Sequence, residues 1–310
     1  MRVSTTVQFD RASTIMNKLQ NDLGTSQAKI SVQKQILNPS DKPDQTATIL
    51  RLNSVIDRQT TFGRTIEMLQ ARLDNESATL TSASEILIRI KELAVQANNG
   101  TQGLTSRKII ATEMKGLRDQ LLSLANSTDT TGNYIFSGSQ VRTPAFVEDP
   151  TGAVAYKGDQ TRMQVDVGEK RKVAINRPGN NVFIRVVRTD SNGTVSGTGF
   201  FQAIDDLIAG VKTPSTTSNQ AMQRGLTEMD ALHEGVILAQ AASGTDMKVL
   251  EQQGIVLEDT KLSLKNVLSK VEDLDMATAM TDMQKQILSL EAAQNSFAKI
   301  SQLSLFTYIR

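Results

Sequence analysis

Six prolines, at positions 39, 43, 144, 150, 178 and 214, do most to limit what this chain can fold into. A proline inside a helix removes a hydrogen bond and its ring clashes with the preceding turn. Long helices are therefore allowed within residues 1–38, 44–143 and 215–310, and the apolar spacing predicts them there. In the first stretch, steps of three and four join Phe9, Ala12, Met16, Leu19, Leu23, Ser26, Ile30, Gln33 and Leu37. This is a heptad seam of the coiled-coil kind. The same alternation runs through Phe62, Ile66, Leu69, Leu73, Glu76, Leu80, Ala83, Leu87, Ile90, Ala94 and Ala97, with Glu76 alone out of character. One helix over 45–98 would reach on the order of 80 Å, longer than a compact globule needs. The spacing implies a rod.

After an Asn98-Asn99-Gly100-Thr101 turn signal, Ile110, Met114, Leu117, Leu121 and Leu124 mark a shorter helix folding back on its predecessor. The last stretch carries Leu264, Val267, Val271 and Leu274, then Met276, Met280, Met283, Ile287, Leu290, Gln294 and Phe297. Neither terminal seam can bury its stripe alone, so the two chain ends are paired here as an antiparallel helical hairpin. Methionine adapts to irregular partners, which suits a seam that exchanges them.

Between about 133 and 216 the texture turns to Gly, Pro, Thr and Val, and a period of two replaces the helical one. Met163, Val165 and Val167, then Val173 and Ile175, then 182–187, are strand candidates separated by Gly168, Gly179 and Asn192-Gly193 turns. Residues 188–199 read as a surface loop, with helix resuming near Gly199 and again after Pro214. The fold class expected is mainly α with a small β domain: an elongated rod of long antiparallel helices, a terminal coiled coil plus a helical bundle, carrying an inserted β-rich domain. Its expected divisions are a terminal assembly domain (1–43 and 265–310), a helical rod (44–132 and 215–264) and the β insert (133–214). Pro39, Ser40, Asp41 and Pro43 form the turn between the first two helices, a plain connection or a hinge, with Ser40 or Asp41 capping the next helix and Pro43 in its first turn.

Composition removes most chemistry. With no cysteine there is no disulfide or thiolate, and one histidine cannot build the usual multi-histidine metal site. A net charge of +1 lacks the positive field of a dedicated nucleic-acid binder. No apolar run is long enough to span a bilayer, and Met1 to Asp10 lacks the apolar core of a cleavable signal. His233 lies among Met229, Leu232, Val236 and Ile237, the setting of a packed or edge histidine. Glu148-Asp149 and Asp205-Asp206 are the carboxylate pairs on which a carbohydrate-hydrolase reading would rest, but neighbours in sequence point apart on strand or helix. No catalytic residue, cofactor or metal is expected.

Met1-Arg2-Val3-Ser4-Thr5, the Pro39-Ser40-Asp41-x-Pro43 turn, Leu93 to Thr101 (LAVQANNGT) and Ser301 to Ile309 (SQLSLFTYI) resemble the flagellin superfamily. Together with Gly132 to Gly138 (GNYIFSG) and Tyr156-Lys157-Gly158-Asp159, they are similar to the hook-associated protein 3 (FlgL-type) family of hook–filament junction proteins. Flagellin itself is the alternative. The resemblance implies a non-enzymatic subunit that follows the first hook-associated protein on the hook and carries the flagellin filament. It implies self-association in the axial structure, an FlgN-type export chaperone on the C-terminal stripe, and extracellular assembly after type III export without a cleaved signal. It implies no nucleic-acid binding and no membrane insertion. By position, Phe9, Met16, Leu19, Leu23, Ile30, Leu264, Val271, Met276, Met280, Met283, Ile287, Leu290, Phe297, Leu303, Leu305 and Phe306 form the assembly seam, poorly ordered until neighbours complete it.

Overall fold

The structure, a computed structural model, describes residues 2–99, 102–189, 195–213 and 216–306, with the side chains of 2–6, 8, 189, 216–219 and 300–306 excepted. Gly100-Thr101, Asn192-Gly193, Pro214 and Thr307 to Ile309, each used in the sequence reading, lie outside the described residues. The chain is mainly helical with small hairpins. Helix α1 spans Arg2–Val32, α2 Pro43–Asn98 and α3 Leu104–Ala125; strands β1 (Phe146–Glu148) to β6 (Val195–Thr198) follow, then α4 Phe200–Lys212, α5 Thr216–Glu272 and α6 Met276–Phe306. Two compact units emerge: residues 1–60 with 259–310, and residues 61–258.

In the larger unit, the spacing from Ile66 to Ala97 on α2 buries as the heptad pattern requires, with Leu80, Ala83, Ile90, Ala94 and Ala97 fully covered. Two apolar cores form. One gathers Leu80 to Ala97 of α2 with Ile110, Met114 and Leu121 of α3, the buried face of α4, and Met222 to Ala239 of α5. α2 and α5 run antiparallel through it, as Thr81 bonds Gln240 and Lys91 pairs with Asp230. The other core joins Ile66, Leu69 and Leu73 of α2 to Val167, Val173, Leu250 and Leu257.

The strands form three antiparallel hairpins: β1 with β2 (Val154–Tyr156), β3 (Gln164–Asp166) with β4 (Lys172–Ala174), and β5 (Val186–Thr189) with β6. A hairpin alone is marginal in water; each of these buries a face against helices. Rings of Phe136, Phe146, Tyr156, Phe183, Phe200 and Phe201 interlock at centroid distances of 5.0–6.3 Å, so half of the chain's few aromatics hold β1, β2 and the start of α4 to one core. Aromatic pairs of this geometry add about 1 kcal/mol each beyond their burial.

The strand reading of 182–187 and the loop reading of 188–199 are corrected. A 3-10 turn at Gly179–Asn181 drops Val182 and Phe183 into the aromatic cluster, and pairing begins only at Val186. Residues 195–198 are strand because Val186 and Thr198 bury on the inner face, where Arg188 also turns to bond Glu228 and Asp206, and this outweighs a Ser/Thr/Gly composition. β1 and β2 went unrecognised, although their turn carries a readable signal. Asp149-Pro150-Thr151-Gly152 repeats the Asp129-Thr130-Thr131-Gly132 loop: in each the aspartate accepts the amide and hydroxyl of the threonine two residues on, and the glycine takes a φ of +89° or +81°.

The GNYIFSG and YKGD motifs are one knot. The Tyr156 hydroxyl donates to the carbonyls of Phe136 (3.1 Å) and Asp159 (2.7 Å), and the Asp159 carboxylate receives the Ser139 amide and hydroxyl. A Cβ on Gly158 would stand 2.7 Å from the Ser137 carbonyl and 2.5 Å from the Tyr156 hydroxyl. Backbone cannot yield cheaply there. Gly158→Ala is expected to lower stability by about 2 kcal/mol, measured as a shifted midpoint of denaturant unfolding followed by circular dichroism; an unchanged midpoint would show that the knot is loose.

Candidate functional site: the terminal helical hairpin

Heptad spacing dictates what the smaller unit does. α1 and α6 lie antiparallel, with the Phe9 and Phe297 rings in tilted contact at 4.8 Å. Met16, Leu19, Leu23 and Ile30 on α1, and Met276, Met283, Ile287, Leu290 and Phe297 on α6, are half-buried, as are Leu264 and Val271 on α5. Phe9 and Met280 are about half exposed, at 48% and 50%. Among the described residues of this unit no apolar side chain is fully buried. Leu303, Leu305 and Phe306 fall within α6, but their side chains are not described.

The seam also ends sooner than its spacing predicts. α1 stops at Val32 because Gln33 turns left-handed (φ 60°), which leaves Gln33 and Leu37 outside the helix. The C-terminal stripe is cut at 273–275, so Leu274 sits between helices. Asp275 caps α6, accepting the amides of Ala277 and Thr278 and the Thr278 hydroxyl; that hydroxyl, then the amides, hold its carboxyl below the ordinary range.

These two breaks are joined to each other. The Gln35 amide donates to the Glu272 carbonyl (2.9 Å), the Leu274 amide to the Gln33 carbonyl (3.0 Å), and the Gln35 side chain to the Asp273 carbonyl (2.9 Å); Lys34 pairs with Glu272. No loop connects α1 directly to α6, so a seam that repeats every seven residues needs such a pin to choose its register. Pro43 opens α2, as expected, but neither Ser40 nor Asp41 caps it. The Asp41 carboxylate turns back to the Asn38 amide (3.2 Å), tightening the turn, while the Thr46 amide bonds the Lys42 carbonyl. Pro39 contributes its carbonyl to the Thr46 hydroxyl, and Ser40 is exposed.

The larger unit commits its chemical candidates elsewhere. Arg118, 3% exposed, holds Asp205 through Nε (3.0 Å) and Nη2 and Glu148 through Nη1 (2.7 Å). Burial pushes the Asp205 carboxyl up against the pull of Arg118. Asp206 receives Arg188, whose guanidinium is also bidentate on Glu228 and is held more firmly protonated by that pairing. Asp149 closes its own turn, its carboxyl lowered by the Thr151 hydroxyl. His233 Nε2 meets Ser84 Oγ at 2.8 Å, a contact between α5 and α2 that sequence spacing could not disclose; among the described residues no carboxylate is bonded to that ring. No described cluster of His, Asp and Glu could hold a metal ion, and no described helix is long and apolar enough to cross a membrane.

Residues 3–141 match the model of the bacterial flagellin N-terminal helical region. Flagellar hook-associated protein 3 of Escherichia coli is 28% identical over 99% of both chains. Over its full length the chain is similar to hook-associated protein 3, and over residues 3–141 to the flagellin N-terminal helical region. A Listeria monocytogenes flagellin also aligns, at 23% identity over 97% of this chain and 95% of its own. The fold of Xanthomonas campestris FlgL superposes with a TM-score of 0.63 over 70% of this chain and 99% of that one, at 24% identity. Placed on the structure, the motifs that carry the resemblance have separate tasks: GNYIFSG and YKGD knot the larger unit, and the Pro39 to Pro43 turn adjoins the pin between α1 and α6.

The absence of cysteine makes the register measurable. Phe9→Cys with Phe297→Cys should join through a short thiol crosslinker in isolated flagella. Adding Gln35→Pro, which removes one main-chain bond of the pin, should at least halve that yield and raise the yield of Phe9→Cys with Leu290→Cys, one heptad away. An unaltered native pair would show that the seam sets its own register.

Proposed function

We propose that this chain is the structural subunit that joins the flagellar hook, through the first hook-associated protein, to the flagellin filament. The observation that carries it is the seam of α1 and α6: the chain's regular terminal heptads are left half-covered, and Ile15, Val32, Leu50, Leu262, Met280 and Leu288 stand 48–65% exposed beside them. Removing apolar surface from water is worth about 25 cal/mol per Å², so copies brought together gain what one hairpin cannot. Self-association in the axial assembly supplies that cover, and the hairpin gains order as it does so.

In this account Phe9 to Ile30 and Leu264 to Phe306 are the assembly seam. Residues 1–43 and 265–310 form the inner assembly domain, 44–132 with 215–264 the helical body, and 133–214 the outward β-bearing part. The Pro39 to Pro43 turn is the hinge beside them. Before export an FlgN-type chaperone covers the α6 stripe, and the chain acts outside the cell. Its role is non-enzymatic: Glu148, Asp205 and Asp206 are each bound to a structural arginine, and Asp149 to its own turn. A flagellin-type filament subunit is the less specific reading, because the flagellin likeness is weaker over a similar length.

Ile287→Asp tests the seam. A charge in an interface that becomes buried costs several kcal/mol unless paired. The variant is expected to be exported at the normal level yet leave hooks without filaments, seen by electron microscopy together with assay of the medium. Filaments of normal number would remove α6 from the assembly.

A further inference from the structure

The odd member of the α2 heptad, Glu76, is 1% exposed. Its Oε1 accepts Arg177 Nε at 2.8 Å, and Arg177 Nη2 reaches Asp246 of α5 at 3.0 Å. One turn earlier on α2, Arg72 gives Nη1 to Asp129 at 2.9 Å and leaves Nε and Nη2 buried without acceptors. One turn earlier on α5, the fully buried Ser243 hydroxyl is also unpaired. Burial pushes the Glu76 carboxyl upward against the pull of both arginines.

This charged layer falls between the two apolar cores of the larger unit. Along α2, Ile66 to Leu73 belong to one core and Leu80 to Ala97 to the other; along α5, Leu250 and Leu257 belong to the first and Met222 to Ala239 to the second. The core on the Ile66 side has seven buried members and holds the β3–β4 hairpin, while its neighbour has thirty and includes the aromatic cluster. Apolar contact couples neighbouring segments into one cooperative unit, and a polar layer with unpaired donors interrupts that coupling.

We propose that the layer of Arg72, Glu76, Arg177 and Asp246 is a parting line, across which residues 62–73, the β3–β4 hairpin and residues 247–257 open as a separate cooperative unit while the larger core stays closed. The ion pairs act as its latch: they align α2, α5 and the segment before Pro178, but they transmit little of the larger core's stability to the smaller one.

Native-state hydrogen exchange on the full chain, read by mass spectrometry at rising denaturant, tests this. Amides of residues 62–73, the β3–β4 hairpin and residues 247–257 should exchange through one shared opening at least about tenfold more populated than that of residues 80–97 and 222–239. Glu76→Gln should raise exchange around the smaller core about tenfold or more and leave the larger core unchanged. Glu76→Leu with Arg177→Met, which makes the layer apolar, should instead draw the two groups toward a common rate, and it serves equally well if Glu76→Gln does not fold. A single opening shared by both groups in the unsubstituted chain, or an equal acceleration of both by Glu76→Gln, would overturn the proposal.

Discussion

An amphipathic helix must find cover for its stripe, and one partner helix supplies only part of it. The same three-four spacing meets two different fates in this chain. On α2, Leu80 to Ala97 are enclosed by α3, α4, α5 and the aromatic knot, and they disappear from solvent. On α1 and α6 the seam residues have each other and little else, and they remain half-covered. The first arrangement makes a folded body; the second leaves an apolar stripe half in water, the surface proposed to be covered by neighbouring copies. This deficit of cover is the physical driving force proposed for assembly.

Charge serves structure throughout the body. Arg118, Arg177 and Arg188 are each nearly buried, and each collects carboxylates from segments distant in sequence: Glu148 and Asp205, Glu76 and Asp246, Asp206 and Glu228. A guanidinium suits this task because its planar fork serves several acceptors at once and its charge persists at any ordinary pH. These pairs tie short hairpins to long helices that the hairpins could not hold by area alone. Of the acids on which a hydrolase reading would rest, Glu148, Asp205 and Asp206 are occupied by arginines and Asp149 by its own turn.

The long helices were legible because period and proline position are local properties: Ile66 to Ala97 buried as written, and Gly199 and Pro43 flanked helices where expected. What was not legible depended on distant partners. Residues 195–198 carry a loop composition and become strand only through pairing with 186–189. Glu76 looked like a flaw in a heptad until Arg177, 101 residues away, completed it. Gln33 and Leu274 continued the apolar spacing, yet both lie where the two helical breaks bond to each other. The seam itself was readable, but the end of the seam was not. The twin Asp-x-Thr-Gly loops are a local turn signal, set by the aspartate-to-threonine bonds and the left-handed glycine, that marks the β1–β2 hairpin in the sequence.

Coupling of the hook to the filament through the terminal seam is the central proposal. Electron microscopy of a strain lacking the chain, with flagellin assayed in its medium, addresses that claim most directly. Intact hooks without filaments, together with flagellin shed into the medium, is the predicted result. Intact hooks still bearing junction proteins, with no major subunit left to shed, would contradict it and make this chain the filament protein.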